Sequence, residues 1–354
     1  MLDLDVQRTR SVSDVIRDLA VLESNATQPQ LAVATTSDDD CLQVESELFA
    51  ITGGRDGFAA KVGSAIRRSY DQVYDGQRTG RFHWAQLSKT EKTNAGSLVE
   101  IWLDREIGLC DGITLDFQIA GHDVDCKFSQ KAGGWMLPPE VVGHLAMLIT
   151  ADDYLGTYSV GLVRVTAERI NASTNRDAKG TLNRDGRAAI HWLVRDEPLP
   201  PNTLLRLPPK DVVAIMGSAT AGRPGSGQRR LDELFRRAEG LRITRTVIGT
   251  VAQQEDPMKR VRSNGGSRSR LAAEGFLLLG HYRTHREVAR ALNLPVPNSG
   301  EIVSARVVPS ADATRANAEI DGSLWRRWTP GDPVVVAPPL PHIDSRLAAR
   351  RTGI

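Results

Sequence analysis

The stretch Ile113-Thr114-Leu115-Asp116-Phe117-Gln118-Ile119 alternates apolar and polar positions, and His122-Asp123-Val124-Asp125-Cys126-Lys127-Phe128 does the same. A period of two marks a half-buried β-strand, because successive side chains point to opposite faces. Only Ala120-Gly121 separates the runs, which predicts a hairpin closed by a two-residue turn. In that register Phe117 faces Val124, Leu115 faces Cys126, Thr114 faces Lys127 and Asp116 faces Asp125. Apolar side chains, Cys126 among them, then share one face, and two carboxylates and a lysine converge on the other.

A different period governs residues 91–107. Ala95, Leu98, Val99, Trp102, Leu103 and Ile107 recur at three- and four-residue spacing, the stripe of an amphipathic helix. Glu100 borders that stripe, so a helix packed under the hairpin could turn its carboxylate toward the aspartates; the same position equally suits a boundary residue whose carboxylate reaches water. Further on, Pro198, Pro200, Pro201, Pro208 and Pro209 predict a stiff, helix-incompatible linker over 198–210. Beyond it, Leu231, Leu234, Phe235 and Ala238 stripe one helix, and Val247, Ile248 and Val251 stripe a second over 243–254. A short basic helix at 257–262, a Gly-rich basic turn and a strand at 275–279 follow, in the order of a winged helix-turn-helix. The expected organisation is an acidic and mobile N-terminal extension (1–57), a first domain (58–197), the linker (198–210) and a second domain (211–354).

Charge sharpens this division. The 354 residues carry a net charge of only +2, yet residues 202–354 hold 24 basic against 14 acidic side chains, leaving 21 against 29 for the rest. Asymmetry of that kind points to a C-terminal half that meets nucleic acid. The three cysteines, Cys41, Cys110 and Cys126, are scattered with no C-x-x-C pair, which excludes a disulfide framework or a cysteine zinc site and fits a reducing cytosol. The start of the chain lacks the charged-then-apolar pattern of a signal peptide, and no apolar run is long enough to span a bilayer. A soluble, cytoplasmic protein with no membrane partner is expected.

Two carboxylates facing each other across a hairpin repel, and a divalent cation between them reverses the sign. All-oxygen ligands suit Mg²⁺. Lys127, on the same face as Asp125, can orient a water or offset transition-state charge, which together gives the parts for metal-assisted phosphodiester hydrolysis. Spacing alone fits equally the solvated face of an ordinary hairpin. One near-miss is set aside: Val73-Tyr74-Asp75-Gly76 is similar to the K-x-D-G motif of DNA ligases, but valine has no amine to form the covalent adenylate.

The order helix-Glu, strand-Asp, strand D-x-K resembles the PD-(D/E)xK nuclease superfamily. The flanking stretches, among them Tyr74-Asp75-Gly76-Gln77-Arg78-Thr79-Gly80-Arg81, Lys89-Thr90-Glu91-Lys92-Thr93, Leu98-Val99-Glu100-Ile101, Val124-Asp125-Cys126-Lys127-Phe128-Ser129 and Met258-Lys259-Arg260-Val261-Arg262, resemble the NaeI-type restriction endonucleases. The likeness is collinear from about residue 60 to about residue 340. It implies a mixed α/β restriction-endonuclease-like core with a C-terminal winged-helix-like DNA-binding domain. It also implies a Mg²⁺-dependent homodimer that cuts double-stranded DNA at GCCGGC and binds a second copy of the site as effector. Glu100, Asp116, Asp125 and Lys127 match the family's active-site positions, with Glu100, Asp116 and Asp125 as metal ligands. The basic candidates for DNA contact are Arg78, Arg81, Lys89 and Lys92, then Lys259, Arg260, Arg262, Arg268 and Arg270. Two other readings stay open: a repair endonuclease of the same superfamily that nicks DNA, and a catalytically inactive DNA-binding regulator.

Overall fold

A computed structural model of the chain describes residues 38–171, 177–220, 222–311 and 317–340. These divide into two units, one of residues 38–74 and 83–201, the other of 75–82 and 202–340.

The first unit is a mixed sheet with helices against it. Helix α1 (Asp39–Thr52) opens on Asp38, whose carboxylate accepts the Asp40 N–H, and stops at left-handed Gly53. Residues 38–52 are therefore no loose extension. Cys41, Val44 and Leu48 are buried in the core, and Arg164 reaches Asp38 at 2.7 Å and also pairs with Asp40. Acidic residues at a helix start are favoured by the dipole. The part of the expected extension before residue 38 lies outside the described residues. Helix α2 (Arg55–Tyr74) leads to helix α3 (Gly76–Thr79), which belongs to the other unit.

Helix α4 (Lys89–Ile107) begins with a full capping box: Ser88 accepts the Glu91 N–H and Glu91 accepts the Ser88 N–H. Ala95, Leu98, Val99, Leu103 and Ile107 are buried as their spacing requires, and Trp102 packs partly buried against the same core. The six strands run in order β1 (Cys110–Asp111), β2 (Phe117–Ile119), β3 (His122–Ser129), β4 (Leu145–Asp152), β5 (Thr157–Arg164) and β6 (His191–Pro198). All neighbours are antiparallel except β3 and β4. Strand β4 reads as an unbroken apolar run because both its faces are covered. Leu145, Met147 and Ile149 join the helical core, while Ala146 and Leu148 join a second core with Trp135, Leu137, Val163 and Ile190. That places β3, and the charged side chains on it, beside a strand buried along nearly its whole length. Between these elements, α5 (Arg184–Ala188) is a single short turn.

The second unit starts inside the expected linker. The chain enters it after Pro201, and α6 (Thr203–Arg206) is a helical turn with Thr203, Leu204 and Leu205 buried. The segment is thus folded rather than a free spacer. Pro208 and Pro209 take the cap and first position of α7 (Pro209–Gly217), where a missing N–H costs nothing. There follow α8 (Ser226–Arg237), β7 (Arg242–Thr244), α9 (Arg245–Ala252), a 3₁₀ turn over Pro257–Val261 and α10 (Ser267–Ala272). Then come β8 (Phe276–Leu279), α11 (Arg283–Ala291), β9 (Glu301–Pro309), β10 (Ala318–Ile320) and β11 (Ser323–Arg327). The expected second helix over 243–254 begins two residues late because 242–244 pair with β9, and Thr244 caps it instead. The basic stretch expected as a short helix is 3₁₀ over Pro257–Val261 and not α, with Arg262 extended after it. No described helix is long and apolar enough to cross a membrane.

Candidate active site

The hairpin forms around the expected turn. Ala120 and Gly121 both have positive φ, 52° and 81°, as a type I′ turn requires. Phe117 pairs with Val124, Gln118 with Asp123 and Ile119 with His122. The ladder ends there. Residues 113–116, expected as strand, form a loop, because Cys110 and Asp111 return to pair with Gln118 and Phe117. The chain must reverse within 112–116, so Thr114 and Lys127, Leu115 and Cys126, and Asp116 and Asp125 are not ladder partners. Leu115 packs instead against the core around Trp135.

The carboxylates converge nonetheless. From the loop, Asp116 Oδ2 accepts the Cys126 N–H at 2.7 Å and lies 3.5 Å from Lys127 Nζ. Lys127 Nζ also donates to Asp125 Oδ1 at 2.6 Å and to the Cys126 carbonyl at 3.0 Å. Asp125 is only 3 % exposed, and its second oxygen, Oδ2, has no hydrogen-bond partner among the described residues. Burial raises the Asp125 carboxyl above the ordinary range; Lys127 opposes this, and the charges of Asp116 and Glu140 add to it. Burial alone would lower the Lys127 amine, but its bond to Asp125 and the charges of Asp125 and Asp116 hold it raised. Cys126 lies in the apolar core as expected.

Glu100, half-buried on α4, feels the charges of the same three side chains. Burial raises its carboxyl first, then the charge of Asp116, with Lys127 opposing and Asp125 adding. The same field reaches Glu140, in the 3₁₀ turn Pro139–Val141, which acts on Asp125. Sequence reasoning missed Glu140 because only the fold brings that turn near β3. It also missed Asp123, whose carboxylate accepts the N–H groups of Ile113 and Thr114 at 2.9 and 3.0 Å.

A Mg²⁺ ion fits this set in donor chemistry. Glu100, Asp116 and Asp125 offer hard oxygens, and a buried carboxylate oxygen without a partner is what a ligand position looks like before it is used. Among the described residues no three His, Cys, Asp or Glu side chains converge on one point as they stand; Lys127 spans the two aspartates instead.

The basic candidates fall into groups. Lys89 is exposed and Lys92 half-buried on the first turn of α4. Arg78, exposed and 3.5 Å from Asp75, and half-buried Arg81 lie in Asp75–Phe82 and so in the second unit, not in the domain where they were expected. There α3 packs on α9: Gln77 donates to the carbonyls of Gln254 and Glu255, and Gly76 sits so close to Thr250 that a Cβ would be 2.1 Å from its hydroxyl. Lys259, Arg260 and Arg262 are exposed. Arg268 and Arg270 serve the fold. Arg268 Nε donates to the Leu278 carbonyl at 3.1 Å, and Arg270 pairs at 2.8 Å with Asp232, which Gln228 and Ser267 also hold.

Comparison with known proteins converges on one family. The family model "Restriction endonuclease NaeI" matches residues 54–336. The "Type II restriction enzyme NaeI" of Lentzea aerocolonigenes is 46 % identical over 308 residues, covering 86 % of this chain and 95 % of the relative. The chain belongs to the NaeI restriction endonuclease family. Its activity is accordingly that of a site-specific deoxyribonuclease, and the four charged residues lie inside the matched region.

Proposed function

We propose that Glu100, Asp116, Asp125 and Lys127 are the hydrolytic centre of this restriction endonuclease. Glu100, Asp116 and Asp125 would hold Mg²⁺, which when bound supplies Lewis-acid polarisation of the phosphate and a more acidic water. The carrying observation is that Asp116 and Asp125, from a loop and a strand, meet on one lysine while the buried Asp125 Oδ2 has no partner among the described residues. Asp125 is the fixed member, held on β3 beside the core strand. Asp116 supplies a second anionic oxygen, and Glu100 a third from the helix below. Lys127 keeps its proton beside two carboxylates, so it acts as a charged donor: it orients the attacking water and offsets charge gathering on the phosphate oxygens.

The second unit is the DNA-binding, winged-helix-like domain in this reading. Its order α8, β7, α9, α10, β8, β9, with β9 between β7 and β8, supports that reading; helix α11 stands where a wing would link β8 to β9. Lys259, Arg260 and Arg262 would meet phosphates there, as a second bound DNA site acting as effector requires. A palindrome such as GCCGGC, the site the resemblance implies, has two strands related by a two-fold axis, so a homodimer would present one centre to each. A cytoplasmic location fits a chain that meets DNA and carries three unbridged cysteines.

Asp125→Ala tests the centre. Loss of an essential group costs about 10²–10³-fold or more in rate, while DNA binding measured in Ca²⁺ should persist, since a metal ligand and not a phosphate-binding group is removed. A variant that cuts at more than about a tenth of the normal rate would remove Asp125 from the centre, since that loss is far below the one expected.

A further inference from the structure

The loop that carries Asp116 has little of its own to hold it. Ile113 is 83 % exposed, Thr114 is exposed, and only Leu115 touches a core. Within the loop, the Gly112 N–H donates to the Asp116 carbonyl at 3.3 Å. Gly112 is also sterically required, because a Cβ there would fall 2.3 Å from the Leu115 carbonyl oxygen. The remaining grip comes from outside: Asp116 Oδ2 accepts the Cys126 N–H at 2.7 Å at the end of the loop, and Asp123 holds its start. Both carboxylate oxygens of Asp123 are committed to the loop, Oδ1 to the Ile113 N–H and Oδ2 to the Thr114 N–H. Asp123 is itself fixed on β3, paired with Gln118 and two residues before Asp125. One strand therefore carries Asp125 and clamps the loop that delivers Asp116.

We infer that Asp123 is a positioning residue: it sets where the Asp116 carboxylate stands relative to Asp125 and Lys127, and so the metal affinity of the centre. This rests on the hydrolytic centre proposed above. Hydrogen bonds from charged acceptors are the stronger kind, and two of them on adjacent backbone N–H groups fix the loop's direction as well as its distance. Loss of partners that orient metal ligands typically costs about 10–100-fold in affinity or activity. Without the clamp the loop samples other positions, the pair of oxygens separates, and the ion is held by fewer ligands.

The test uses the full chain and Mn²⁺ as probe, with free Mn²⁺ followed by its EPR signal in wild type, Asp123→Ala, Asp123→Asn, Gly112→Ala and Asp116→Asn. Asp123→Ala should bind Mn²⁺ about 10–100-fold more weakly, and raising the metal concentration should restore most of its DNA cleavage. Asp123→Asn, which keeps one acceptor, should fall between. Gly112→Ala disturbs the same loop with the Asp123 charge intact, so a loss there too separates positioning from simple removal of a negative charge. Asp116→Asn should not be restored by metal. If Asp123→Ala and Gly112→Ala both bind Mn²⁺ as wild type does while Asp116→Asn does not, the clamp is refuted and the centre survives. If Asp116→Asn binds Mn²⁺ and cuts as wild type does, the centre itself is refuted. Should Asp123→Ala fail to fold by circular dichroism, Asp123→Asn and Gly112→Ala decide by the same comparison.

Discussion

At the scale of residues, the centre spends stability on function. Burial holds Asp125 and Glu100 above the ordinary carboxylate range, which means that the surroundings favour their neutral forms. A carboxyl whose folded-state pKa is raised contributes most stability below its unfolded value and loses it as pH rises through the folded value. The contribution of these two carboxyls in the metal-free protein should therefore weaken as pH climbs from about 4, near the unperturbed values, against the opposite trend from the lowered carboxyls Asp38, Asp123, Glu168, Glu274 and Asp332. Mg²⁺ should restore stability more at neutral pH than at acid pH. Thermal unfolding with and without Mg²⁺ across that range checks both. The same sign implies that Asp125→Asn stabilises the metal-free protein at neutral pH while abolishing cleavage. A lower melting temperature for that variant would show that the Lys127 pairing outweighs burial. Lys127→Arg should be severely impaired, because a planar fork replaces a compact ammonium that reaches two aspartates and a carbonyl at once. Steady-state rates at saturating Mg²⁺ test it, and full activity would make Lys127 a spectator.

At the scale of elements, local pattern is informative where one element decides and silent where two must agree. The α4 stripe and its capping box are legible in the spacing and in Ser88-x-x-Glu91, so Ser88→Ala should cost about 1 kcal/mol of stability without changing the cleavage rate at saturating metal. The turn at Ala120-Gly121 and the Phe117–Val124 register are legible too. Residues 113–116 alternate like a strand, yet β1 claims the edge of β2 and forces a loop there. Alternation records which side chains are apolar, not which backbone is already paired. The pattern points to Asp116, Asp125 and Lys127 for a partly wrong reason: they converge through a side-chain bond from a loop and not through a ladder pair. Asp38 to Asp40 read as part of a free acidic tail because their partner, Arg164, is 126 positions away from Asp38. Helix α3 is hidden in the same way. Its neighbour in space is α9, so a fragment 202–354 lacking it should melt lower than the same unit in the full chain, by calorimetry.

At the scale of the whole molecule, the uneven charge found in the sequence resolves into different jobs. Part of the C-terminal basic excess is paired within the fold, as with Arg270 on Asp232 and Arg236 on Glu274, and so carries less free charge toward a phosphate. Lys259, Arg260 and Arg262 lie exposed, and removing one cation that neutralises a phosphate should reduce the salt slope of DNA binding by about 0.9. Arg260→Ala and Arg262→Ala in the full chain, titrated with duplex in Ca²⁺ at several salt concentrations, are expected to show that drop. An unchanged slope would move the DNA surface elsewhere.

Where the chain cuts, and which residues it needs to do so, can be read in one digest. A plasmid is digested with the full chain in Mg²⁺, and both ends of every product are mapped by sequencing, beside Asp116→Asn and Lys127→Met. The expected result is double-strand breaks at one repeated palindrome, absent without Mg²⁺ and absent from both variants. Breaks scattered without sequence preference, single-strand nicks alone, or unaltered cutting by either variant would contradict it.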